Sequence, residues 1–95
     1  MEVINGTSTD GRVHVQDAGG GPPMDPHRHP EIRAEETMHW PMLQAGSRQS
    51  LDLKSKGPWN VFFFVQGKAY SVTANSAGNH LTLLQAPGGF TVQVD

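Results

Sequence analysis

The sequence predicts an all-β protein: a small antiparallel β-sandwich or jelly-roll-like module over residues 47–95, preceded by an extended Gly/Pro-rich N-terminal arm over residues 1–46. Three observations predict it. After Ser47, strand-like runs centre near residues 51, 62, 71, 82 and 92, with a turn signal between neighbours. Residues 18–30 hold three glycines and four prolines, which excludes helix there and favours an extended path. The bulky apolar residues Phe62, Phe63, Phe64, Tyr70, Leu81, Leu83, Leu84, Phe90, Val92 and Val94 all fall after residue 60.

Along the arm, Val3-Ile4 and Val13/Val15 are short apolar pairs separated by the turn-forming dipeptides Asn5-Gly6 and Asp10-Gly11. Arg12–Gln16 alternates polar and apolar, so a short hairpin is expected. Residues 18–30 read as a linker or a strap lying on a surface. Pro30–His39 offers two alternatives. Proline at a first helical position with Glu31 near the positive end suits a helix of at most two turns, stopped before Pro41. A strand placing Ile32, Ala34, Glu36, Met38 and Trp40 on one face is the other.

In the module, Leu51 and Leu53 alternate with Asp52 and Lys54, and Lys56-Gly57-Pro58 makes a turn. Trp59–Gln66 is a continuous apolar run and the expected central strand. Gln66-Gly67-Lys68 turns the chain into residues 69–74. Residues 75–79 form a loop, His80–Gln85 a strand, Pro87-Gly88-Gly89 a turn, and Phe90–Val94 the last strand. The expected core is Leu51, Leu53, Val61, Phe63, Val65, Tyr70, Val72, Leu81, Leu83, Phe90, Val92 and Val94. Phe62 and Phe64 project opposite Phe63 and need a second cover from another sheet, the arm or a partner.

The chain has 95 residues, 36% of them hydrophobic, and no cysteine. A core drawn from about half of so short a chain is marginal, and no disulfide can supplement it. Protein subunits are therefore the expected source of further stabilisation, as a homo-oligomer or within a larger assembly. Charge is asymmetric. Residues 1–46 hold seven acidic side chains against three arginines, and residues 47–95 hold four basic against two acidic, so the two halves attract within or between copies. No basic stripe with interleaved aromatics points to nucleic acid. The longest apolar run, Val61–Val65, is too short to span a membrane, and no signal peptide is read at the start. The expected location is cytoplasmic at synthesis and then a virion or other large particle.

The chemical candidates are few. His27 and His29, two apart, share a face on an extended strand, with Glu35 and His39 nearby, and these four are the candidate ligands for one divalent transition metal. Gly21, five residues, His27, one residue and His29 is similar to the first half of the cupin metal motif. Arg33 and Ala34 stand where that motif has its glutamate, Glu35 is one residue late, and the second motif is not present around His80. The resemblance implies a jelly-roll-like fold as readily as it implies a metal. Trp40 and Trp59 each neighbour a proline, where a tryptophan plugs the end of a β-core or anchors an interface. With Tyr70 they could also form a carbohydrate-stacking platform. The serines lie in no nucleophile elbow, adjacent Glu35 and Glu36 diverge, and Gly19–Gly21 precedes no lysine-bearing helix, so no catalytic role is expected. The resulting expectation is a non-enzymatic accessory subunit, of the kind that decorates or cements a virus-like shell. Its interface residues would be Phe62, Phe64, Trp40 and Trp59, and no cofactor is expected.

Overall fold

The computed structural model describes residues 1–19 and 26–95. In chain order its elements are β1 (Glu2–Asn5), β2 (Gly11–Asp17), β3 (His27–Arg28), a 3-10 helix (Ala34–Thr37), β4 (Met42–Leu43), β5 (Arg48–Ser50), β6 (Trp59–Val65), β7 (Lys68–Ala74), β8 (His80–Ala86) and β9 (Gly89–Val94). They form a four-stranded sheet, β5-β1-β8-β9, and a five-stranded sheet, β3-β7-β6-β2-β4. All pairings are antiparallel except that of β1 with β8. Among the described residues no helix is long and apolar enough to cross a membrane.

The period-2 alternation of β6 sets the geometry. Trp59, Val61, Phe63 and Val65 are buried, while Asn60, Phe62 and Phe64 face the other side. Val13, Phe63 and Tyr70 lie in one row across β2, β6 and β7, and Val15, Val61 and Val72 in the next. From the other sheet, Val3, Leu81, Leu83, Phe90 and Val92 complete a single apolar core. β6, β7, β8 and β9 stand where the spacing of apolar runs puts them.

The first half is not an arm over its described length. β1 lies between β5 and β8, and β2 between β6 and β4, so both are interior strands. Val3, Val13 and Leu43 are fully buried core residues. Nor do β1 and β2 form a hairpin, since they belong to different sheets. Asn5 explains why. Its Nδ2 donates to the carbonyls of Thr9 and Leu43, both at 2.9 Å, and its Oδ1 accepts from the Thr7 amide and hydroxyl. These bonds hold residues 6–10 as a crossover from one sheet to the other. The Asn-Gly and Asp-Gly signals mark its two ends.

Three expected core positions differ. β5 ends at Ser50, leaving Leu51 and Leu53 half-buried after it, and Val94 is 38% exposed at the end of β9. The segment 30–40 resolves in favour of a short helix, a single 3-10 turn that buries Thr37. Gly57 has φ +79°, and a Cβ there would fall 2.6 Å from the Trp59 ring, so this turn requires glycine.

Candidate functional site

The outer face of the five-stranded sheet carries the most concentrated chemistry. Register aligns His14, Phe62 and Ser71 in one row across β2, β6 and β7, with Arg12, Phe64 and Ala69 in the row on one side and Gln16, Asn60 and Thr73 on the other. Residues 29–41 cross over this face as a strap. At one end His29 follows β3 and its amide donates to Ala69 of β7. At the other the carbonyl of Pro41 accepts from Val13 of β2. His29 sits 5.2 Å from Phe62 between ring centroids. Trp40 stacks on His14 at 5.0 Å and lies 6.0 Å from Phe62. The cover that Phe62 requires is thus supplied by the protein's own strap.

His29 latches that strap. Its Nε2 is 2.6 Å from the Ser71 hydroxyl and its Nδ1 is 3.0 Å from Glu31 Oε1. An ionised carboxylate only accepts, so with neutral His29 the Nδ1 carries the proton and Nε2 accepts from Ser71. The Glu31 carboxyl lies below its ordinary range, first because of a backbone hydrogen bond and then because of His29. The connectivity is that of a nucleophile, base and orienting acid. Yet Ser71 is 1% exposed and lies outside the adjoining hollow, so its hydroxyl has no open path to a substrate.

Between strap and sheet lies an open hollow of about 410 Å³. His14, Gln16 and Phe62 line it from the sheet, and His29, Glu31, Ile32, Glu36 and Trp40 from the strap. Burial pulls the His14 pKa down, so its ring is neutral at pH 7. Neither Glu31 nor Glu36 is bridged by a lysine or arginine among the described residues. Arg12 donates to the Trp40 and Met38 carbonyls and does not line the hollow.

The remaining candidates are dispersed. His27 and His29 do share a side, their rings 4.7 Å apart and nearly perpendicular. Glu35 and His39 are exposed and do not line the hollow, and no group of three histidine or carboxylate side chains among the described residues could hold a metal ion. Gly21 of the cupin-like spacing lies outside the described residues. Trp59 is 4% exposed, plugging the end of the core with its Nε1 donating to Ser55, so it offers no face to a partner. Tyr70 is also buried, its hydroxyl accepting from the Phe90 amide, and the expected platform of Trp40, Trp59 and Tyr70 does not form. Phe64 is half-buried on the outer face.

His14 and Gln16 are not among the candidates that the sequence offers, and Glu36 stands there only as the neighbour of Glu35. His14 and Gln16 are the polar positions of an alternating strand and read as its wet side. Only the pairing of β2 with β6 sets His14 against Phe62. No family model, curated protein or solved structure matches this chain.

Proposed function

We propose that the protein is a non-enzymatic assembly module, a β-sandwich accessory subunit that docks through the strap side of its five-stranded sheet. One observation carries this reading. Among the described residues, two of the three exposed large apolar side chains, Met38 at 65% and Met42 at 48%, bracket half-buried Trp40 and exposed Pro41. Clustered exposed apolar residues mark contact surfaces, and methionine adapts to the shape of a partner. The docking residues are therefore Met38, Trp40 and Met42, with Phe62 beneath them as the support of Trp40. This role suits a subunit that joins copies of itself or a larger particle, such as a shell that it decorates.

Light scattering across a range of concentrations tests the reading with the protein alone. The expected result is a species heavier than the 10.3 kDa monomer, reverting to monomer when Met38→Ser and Met42→Ser are combined. A wild-type protein that stays monomeric throughout would remove self-assembly.

A further inference from the structure

We infer that the hollow between strap and sheet receives the guanidinium of an arginine side chain presented by a protein partner. This deepens the docking reading and rests on it. Four features select that chemistry. Trp40 and Phe62 contribute aromatic rings beside the space, and such rings attract cations. Glu31 and Glu36 line the same space as carboxylates without a lysine or arginine bridge among the described residues. Gln16 adds a neutral amide side chain to the lining, and burial of the His14 ring disfavours an opposing charge there. The exposed Met38–Met42 run continues directly into the hollow through Trp40, so a partner seated on the methionines has its side chains beside the opening.

Arginine fits better than lysine or a neutral sugar. Its planar fork offers five donors to several acceptors at once and stacks on an aromatic ring, whereas ammonium is a compact, strongly hydrated point charge. A sugar would stack equally well but would leave Glu36 without a charged partner and Glu31 with only its His29 contact. The volume, about 410 Å³, falls in the range of small-ligand clefts.

The test is a titration of ¹⁵N-labelled protein with N-acetyl-arginine amide, read at the Trp40 indole resonance. N-acetyl-citrulline amide serves as the uncharged isostere and methyl glucoside as the sugar control. The buried Trp59 indole, bonded to Ser55, is an internal reference. Expected is a saturable shift of Trp40 with the arginine compound, with citrulline clearly weaker. Glu36→Gln is expected to weaken binding about three- to fivefold without changing the unfolding midpoint, the size of one exposed charge contact. Equal response to arginine and citrulline, response to neither, or preference for the glucoside would overturn the assignment. The Met38→Ser, Met42→Ser protein separates this inference from the docking reading. If it binds the arginine compound like wild type while native mass never depends on the methionines, the hollow stands and the docking face falls. If native mass depends on the methionines and no variant binds the arginine compound, the reverse holds.

Discussion

Between Trp40 and Phe62, His14 has exchanged part of its water for aromatic rings, and that exchange disfavours its charged form. Its folded pKa therefore lies below the ordinary 6.5. In the interval between the folded value and 6.5 the unfolded chain binds more protons than the folded one, so stability falls as pH drops through that interval and levels off below it. Glu31 acts with the same sign in a lower window. Its depressed pKa contributes stability that is present above the ordinary 4.5 and lost as pH falls through the folded value. Urea midpoints are accordingly expected to decline from pH 7.5 to pH 5.5, and His14→Gln to flatten that decline. A slope unchanged in the variant would assign it to another group. None of this was legible in Arg12–Gln16, because alternation tells which residues share a face and not which strand lies beside them.

The strap is the element whose reading changed most. From the sequence, Pro30–His39 offers a short helix or a strand, and the His27 and His29 pair offers metal ligands. The segment lies instead across the chain's own sheet, and His29 forms a latch with Glu31 and Ser71. The two ends of the Ser71–His29 bond respond differently to removal. His29→Ala leaves the Ser71 hydroxyl buried without a partner and is expected to cost about 1–3 kcal/mol. Ser71→Ala frees a ring nitrogen that sits closer to water and is expected to cost about 1 kcal/mol or less. Chemical denaturation of both variants, with Trp40 emission as a local probe, checks the asymmetry; equal losses would overturn it, and no loss in either variant would mean that the latch contributes nothing beyond its backbone pairing. By contrast, β6 to β9 were legible almost residue by residue. Each is a run of apolar side chains, continuous in β6 and alternating in the others, closed by Gly67, Asn75–Asn79 or Gly88, so local chemistry alone delimits it.

At the scale of the molecule, the division into arm and module dissolves into one core. The sequence concentrates its large side chains after residue 60, and weighing bulk alone makes the first half look dispensable. Position matters more than bulk here: Val3, Val13 and Leu43 are small to medium, yet each is fully buried. Residues 47–95 in isolation would lose β1 from between β5 and β8, and β2 from beside β6. Each loss bares a strand edge and an apolar row together. That fragment is expected to be unfolded, with random-coil circular dichroism and collapsed amide dispersion, where the full chain is folded. A cooperative thermal transition in the fragment would restore the two-part view.

The seat of β1 also bears on the order of events during synthesis. Glu2–Asn5 precede both of their partners in the chain, Arg48–Ser50 on one side and His80–Leu83 on the other. Until those emerge, the opening strand has no ladder to join and its amides remain bonded to water. The four-stranded sheet is thus assembled only once β8 has been made, around a strand that has been waiting since well before it. Such long-range closure is entropically costly and places the protein among the slower folders of its size. The nascent chain spends that interval with Val3 and Ile4 exposed, a period in which a chaperone, or a neighbouring copy, can reach them first.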